Sequence, residues 1–280
     1  MCTECGCGQP EPYKVQSLDG QDPRLPGALS LPHHGGSGHV HTHADGTVHS
    51  HAEGDHPHEH EPATRKLDLG LSLLAKNDRL AERNRGFFLG RGLLAVNLVS
   101  SPGSGKTALL ERTLDEFGAD VKCAVIVGDL ETDRDAQRLH RPHVPVAQIT
   151  TGMACHLDAE MVARGVEALG LDDVKVLFIE NVGNLVCPAS FDLGETLRVV
   201  LLSTTEGEDK PLKYPPIFKS AQVVILTKTD LTGVLGFDRA AALENLRRVA
   251  PQARILELSS RSGEGMRAWY DLLRAQLPTR

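Results

Sequence analysis

Three groups of residues in this chain are equipped for chemistry, and they call for two different kinds. Ser100-Ser101-Pro102-Gly103-Ser104-Gly105-Lys106-Thr107 has the make-up of a phosphate cradle. Glycines let a backbone turn its N–H groups onto phosphate oxygens, and a helix starting behind them adds a favourable dipole. In such a loop Lys106 reaches the β- and γ-phosphates and the Thr107 hydroxyl ligates Mg²⁺, while Gly103, Ser104, Gly105 and Ala108 line the cradle. The pattern G-x-x-x-x-G-K-[ST] is met except at its first position, where Ser100 stands for glycine.

Two acidic residues end later apolar runs: Asp129 follows CAVIVG and Glu180 follows VKVLFI. Carboxylates at strand ends beside a phosphate loop hold Mg²⁺ or orient the attacking water, so Lys106, Asp129 and Glu180 form the expected catalytic set. Asp133 and Asp135 are placed to share the role of Asp129. Glu180-Asn181-Val182-Gly183 resembles the D-x-x-G switch segment of GTPases, with Glu for Asp. Thr227-Lys228-Thr229-Asp230 resembles the guanine box N-K-x-D, with Thr for Asn. A carboxylate such as Asp230 can accept both guanine N1–H and the 2-amino group, donors that adenine does not offer there. The Lys228 stem can lie against the ring, and Ser259-Ser260-Arg261 resembles the loop whose backbone meets guanine O6. GTP and GDP are therefore expected over ATP, which disfavours the rival reading of a small-molecule kinase.

The second chemistry is metal ligation. Cys155-His156 and Cys187 offer two thiolates and an imidazole, a set suited to Zn²⁺ or Ni²⁺. Cys187 lies seven positions past Glu180, on the segment expected to respond to the γ-phosphate. At the N-terminus Cys2, Cys5 and Cys7 can converge on one ion, with a four-coordinate geometry that suits Ni²⁺. Of thirteen histidines, all but His140, His143 and His156 fall between His33 and His60, which reads as a metal reservoir. Cys123, inside an apolar run, reads as a core filler.

Elements must hold these residues in place. The runs Leu93–Val99, Cys123–Val127, Val146–Ile149, Val174–Ile179, Leu197–Leu202, Val223–Leu226 and Ile255–Leu258 are expected as buried strands alternating with helices. That alternation predicts an α/β fold, a mostly parallel sheet with helices on both faces. A helical pattern of leucines from Leu67 to Leu80 precedes it. Three regions are expected: the cysteine motif at 1–7, a disordered His-rich segment at 8–64, and a nucleotide-binding domain at 65–280. A formal net charge of -7 argues against a nucleic-acid partner. No run approaches the ~20 apolar residues of a membrane span, and MCTECGCG lacks the features of a secretory signal. A cytoplasmic chain with reduced thiols is the expectation.

Taken together, SSPGSGKT, GMACHLDAE, ENVGNLVCP, TKTD and the leading CTECGC resemble the HypB family, the nickel-inserting GTPases of [NiFe]-hydrogenase maturation. The likeness runs from about Arg65 to the end, plus the N-terminal cysteines. It implies the dimerising class of P-loop GTPases related to signal-recognition and MinD-like proteins, with a GTP-dependent homodimer. It also implies nickel as the metal, a HypA-type accessory partner, and the hydrogenase large-subunit precursor as recipient. By position, Cys2, Cys5 and Cys7 match the family's high-affinity nickel motif, and Cys155, His156 and Cys187 its domain metal site. A storage protein with a regulatory nucleotide domain is the alternative, which the His tract favours.

Overall fold

The computed structural model describes residues 13–18, 40–42, 48–50 and 63–278. The Cys2, Cys5 and Cys7 motif and most of the histidine tract lie outside the described residues. β1 (Lys14–Ser17) comes first; β2 (Val40–Thr42) pairs antiparallel with β3 (Val48–Ser50) in a two-stranded sheet of its own. α1 (Ala63–Arg91) then leads into strands and helices in alternation: β4 (Leu94–Ser100), α2 (Lys106–Glu116), β5 (Cys123–Asp129), α3 (Arg134–Leu139), β6 (Val146–Thr150), α4 (Ala159–Glu167) and β7 (Val176–Glu180). The second half runs β8 (Leu197–Ser203), α5 (Lys210–Lys213), α6 (Pro215–Ser220), β9 (Val223–Thr227), α7 (Thr232–Leu235), α8 (Arg239–Val249), β10 (Arg254–Glu257) and α9 (Met266–Gln276).

The main sheet has the order β1-β6-β5-β7-β4-β8-β9-β10. β1 is antiparallel to β6, and the other seven strands run parallel. Side chains of successive strand residues point to opposite faces, so a sheet covered on both sides needs nearly unbroken apolar strands. β4 and β5 meet that demand. Leu94, Val96, Leu98, Cys123, Val125 and Val127 pack on one face with α2 and α9. Ala95, Ala124 and Ile126 face the other side, with Phe88 of α1 and Val162 of α4. Cys123 is buried in the first of these layers, and burial pushes its thiol up to about 12, so it is unreactive core.

The expected strands all form, with ends displaced by a residue or two, as β10 at Arg254–Glu257 illustrates. One expectation is corrected: the segment 8–64 is not structureless throughout, because Lys14–Ser17 joins the main sheet. The physical reason is local apolar content. Tyr13 and Val15 pack against the layer beneath β6 and α4, and Leu18 packs on the opposite layer.

The parallel sheet gathers every functional loop at one edge. The phosphate loop follows β4, Asp129 ends β5, the Cys155 loop follows β6, Glu180 ends β7, and the Thr227–Asp230 box starts at the end of β9. Ligands of open α/β sheets bind outside these carboxyl ends of the strands.

Candidate functional site

The phosphate loop is built by two left-handed glycines, Gly103 at φ 73° and Gly105 at φ 97°, the latter directly before α2. A side chain is strained in that conformation, which explains glycine at both places. Lys106 is buried, and its ammonium donates to Ser100 Oγ at 3.0 Å. Ser100, the residue that departs from the usual pattern, therefore holds the lysine in place. Burial pulls the Lys106 ammonium below its usual range, and Glu180 is foremost among the carboxylates that oppose this.

Thr107 Oγ1 donates to Glu180 Oε1 at 2.7 Å, so two of the three expected Mg²⁺ ligands meet. Glu180 Oε2 is buried without a hydrogen-bond partner. An orphaned carboxylate oxygen beside a phosphate loop fits a divalent cation that would supply its missing contact. Burial raises the Glu180 carboxyl to about 7, with Lys106 pulling the other way. Asp129, the third expected ligand, is hydrogen-bonded to neither of them, although its charge acts on Lys106. Its Oδ1 accepts from the Glu131 and Thr132 amides at 3.0 and 2.9 Å, an arrangement that shapes its own loop. Asp133 accepts from Gln137 Nε2, and Asp135 pairs with Arg138 on the surface.

The segment Thr227–Asp230 packs directly on the phosphate loop. Thr227 Oγ1 donates to Ser104 O at 2.8 Å, so threonine still braces the two loops where the pattern has asparagine. Lys228 takes a left-handed conformation at φ 57° and its ammonium donates to Gly103 O at 2.7 Å. Thr204 Oγ1 donates to Lys228 O at 2.9 Å and fixes the turn from behind. Asp230 follows in a single 3₁₀ turn, Thr229–Leu231, with its carboxylate exposed at the mouth. Ser259 is buried, with its amide donating to Glu264 O, and Ser260 O accepts from Arg112 of α2 at 3.0 Å.

Gly183 connects the cradle to the switch segment. A β-carbon there would sit 2.9 Å from Pro102 Cα, so the segment lies against the phosphate loop with no space for a side chain. Four residues on, Cys187 opens a 3₁₀ turn, Cys187–Ser190. Its Sγ lies 2.7 Å from Cys155 Sγ, and Cys155 Sγ lies 3.8 Å from His156 Nδ1. The three ligand atoms fall within 4.8 Å of one another. His156 is buried, its ring 3.9 Å from that of Phe191, and burial pushes it down to about 4. A neutral imidazole and two sulfurs converging on one point have the donor set to hold a metal ion.

The switch and the metal loop are also joined by hydrogen bonds. Asn181 Oδ1 accepts from Leu157 N at 3.0 Å, and Asn184 Nδ2 donates to Cys155 O at 3.2 Å. Asn181 in turn donates to Asn97, which donates to Glu195, itself paired with Arg198 at 2.7 Å. Sequence reasoning missed the roles of these amides, since an asparagine that bonds to a group distant in the chain carries no motif of its own. It also missed Glu206, whose carboxylate accepts from Ser104 Oγ in the cradle. An acidic residue a few positions past the apolar run Leu197–Leu202 was the signal available, the same one that pointed to Asp129 and Glu180.

Comparison with known proteins shows the family of the chain. Residues 94–257 match the family model for the CobW/HypB/UreG nucleotide-binding domain. The chain is 44% identical to the hydrogenase maturation factor HypB of Escherichia coli (strain K12), with 99% of each chain covered. It is 41% identical to the hydrogenase/urease maturation factor HypB of Helicobacter pylori, over 77% of this chain and 90% of that one. Among solved structures, HypB from Helicobacter pylori in complex with nickel matches with a TM-score of 0.68 at 40% identity, covering 73% of this chain and 98% of that one. HypB from Archaeoglobus fulgidus matches with the same TM-score and identity, over 72% and 99%. The chain belongs to the HypB family of hydrogenase maturation factors, built on a CobW/HypB/UreG nucleotide-binding domain.

Proposed function

We propose that this chain is a GTP-hydrolysing nickel metallochaperone whose metal site answers to its nucleotide. The observation that carries the reading is the single short segment from Glu180 to Cys187. It begins at the Thr107 hydroxyl, touches the phosphate loop at Gly183, and ends with Cys187 2.7 Å from Cys155. A change in the γ-phosphate position therefore moves one metal ligand relative to two others.

Phosphoryl transfer asks little covalent chemistry of a protein; the work is positioning and charge stabilisation. Lys106 and the backbone of Gly103–Thr107 hold the phosphates. Thr107 and Glu180 would hold Mg²⁺, which would supply charge neutralisation to the phosphates. Asp129 organises the loop after β5 through the Glu131 and Thr132 amides, and its charge supports the Lys106 ammonium. Asp230 selects guanine, with Lys228 and Thr227 fixing the box against the phosphate loop. Arg138, whose charge reaches Glu180, is engaged by Glu111 and Asp135 rather than by the phosphate loop, so slow turnover is expected.

The cargo metal is Ni²⁺, with Zn²⁺ accepted by the same donor set, and Cys155, His156 and Cys187 are its ligands. Three ligands leave a position open, which a second copy of the chain or a water fills; GTP favours that two-fold dimer. The nickel of the Helicobacter pylori structure and the hydrogenase maturation role of the relatives support delivery to a hydrogenase large-subunit precursor. A HypA-type accessory protein is the expected partner, in the cytoplasm, with Cys2, Cys5 and Cys7 as a second nickel motif.

GTP hydrolysis by the full chain, with and without stoichiometric Ni²⁺, tests the reading against Cys187→Ala. A metal effect on turnover or dimerisation in the parent that vanishes in the variant is expected. Hydrolysis that is GTP-specific but indifferent to metal in both proteins would separate the two functions and leave carriage to the N-terminal cysteines.

A further inference from the structure

The metal ligands sit on two loops, and both loops are tied at their far ends to one helix. Asn77 and Asn84 of α1 are spaced seven apart, two helical turns, and so share a face with Ala81. All three are buried. Asn77 Oδ1 accepts from Ala159 N at 2.9 Å, and its Nδ2 donates to Asp192 O at 2.8 Å. Asn84 Nδ2 donates to Ala159 O at 2.8 Å and to Leu193 O at 3.1 Å. Ala159 lies three residues after His156, and Asp192 and Leu193 lie five and six after Cys187.

Each asparagine therefore bridges the loop of Cys155 and His156 to the loop of Cys187. The bridge also completes α4, whose first amide has no partner within its own helix and takes Asn77 instead. Between the two amides the helix is pressed against the second loop. A β-carbon on Gly194, at φ 84°, would sit 2.4 Å from Ala81 O and 2.8 Å from Arg85 N, so only glycine allows that approach. Arg85 adds an ion pair to Asp192 and a bond to Glu195 O.

We propose that Asn77 and Asn84 are positioning residues for the metal site, fixing the distance between its two ligand loops. The inference rests on reading Cys155, His156 and Cys187 as that site. The switch holds the near ends of the loops, through Asn181 to Leu157 and Asn184 to Cys155. α1 holds the far ends. Motion of the switch is thus confined to the ligand-bearing stretches between two sets of anchors. Were the α1 anchors removed, the loops would separate at the far end and the thiolates would lose their common point.

The test uses the full chain with Cys2, Cys5 and Cys7 changed to Ser, so that thiolate-to-metal absorbance reports only the Cys155–Cys187 site and ignores imidazole sites. Ni²⁺ is titrated into this parent, into Asn77→Ala/Asn84→Ala, and into the milder Asn77→Asp, which keeps an acceptor for Ala159 N and loses the donor to Asp192 O. Lys76→Ala, which breaks only the exposed Lys76–Glu160 pair between α1 and α4, is the control. Partners of metal ligands typically contribute 10–100-fold to affinity, so the double variant should bind Ni²⁺ about tenfold or more weakly, Asn77→Asp less so, and Lys76→Ala as the parent. Affinity for a fluorescent GDP analogue should stay unchanged throughout. If the double variant does not fold, Asn77→Asp carries the same comparison. Unchanged Ni²⁺ affinity in a folded variant, or an equal loss of GDP-analogue affinity, overturns the proposal. Cys187→Ala, run alongside, keeps the readings apart: if it too leaves the absorbance titration unchanged, the metal site itself is misassigned.

Discussion

The nucleotide cradle and the metal cluster lie at the same edge of one sheet but are built differently. The cradle rests on regular structure: Lys106 and Thr107 begin α2, Glu180 and Thr227 end strands, and all four are buried. Its loops are pinned to each other directly, Thr227 and Lys228 on the phosphate loop and Ser104 on Glu206. The metal cluster rests on irregular backbone. Cys155 and Cys187 are half-buried, on loops 32 residues apart that are held in place from outside by asparagines. The difference teaches where each function gets its tolerance for movement. A phosphate cradle must be preformed to stabilise charge, whereas a site that accepts and gives up a metal needs ligands that can part.

The largest effect should come from the buttress that serves both regions. Glu195 and Arg198 are paired and buried beneath Asn97, which contacts Asn181 of the switch. Arg198→Met leaves a buried carboxylate uncompensated and should cost about 3–5 kcal/mol in chemical denaturation. Burial works against the Glu195 carboxylate, yet Arg198 first, then Asn97 and the Leu193 amide, hold it below the ordinary 4.5. A depressed carboxylate stabilises the fold above its unfolded value and loses that contribution as pH falls through its folded one. Stability should therefore drop below pH 4.5 in the parent, and Glu195→Gln should flatten that part of the profile.

Lys106→Ala strikes the preformed side alone. Losing a charge-stabilising group should slow hydrolysis by on the order of 10²–10³-fold, while the thiolate-to-nickel absorbance at Cys155 and Cys187 stays as in the parent. A parallel loss of the metal signal would break the contrast between the two regions.

Gly183→Ala probes the junction and should have the smallest effect on the fold. Its new β-carbon meets Pro102 backbone at 2.9 Å, and such overpacking typically costs about 1–3 kcal/mol. It should push the switch off the phosphate loop and so blunt the response of metal affinity to nucleotide, measured by nickel titration in each nucleotide state.

Much of the cradle was legible in the sequence because its residues are contiguous and their roles follow from backbone conformation. The glycines of SSPGSGKT and the run of apolar strands need only local rules, and the structure places Lys106, Thr107 and Glu180 together as those rules require. The trio Cys155, His156 and Cys187 was legible only through its donor chemistry, since its spacing spans two loops. The bridging roles of Asn77, Asn84 and Asn97 were not legible at all, and Asn181 and Asn184 were seen only as members of the switch motif. Each works by bonding backbone or another amide far along the chain, and such pairings depend on topology rather than on residue type. The ordered strand Lys14–Ser17 escaped notice for a related reason: its apolar residues Tyr13, Val15 and Leu18 are set among polar ones and gain their packing only through topology, beside the partner strand Val146–Thr150.

The central claim is that one segment couples nucleotide to metal, and coupling between sites is reciprocal. It is tested most directly by measuring the Ni²⁺ affinity of the Cys155–Cys187 site, through its thiolate absorbance, in the GDP-bound chain and in the chain bound to a non-hydrolysable GTP analogue. The account predicts different affinities in the two states, with the difference lost in Gly183→Ala. Equal affinities in the parent would contradict it.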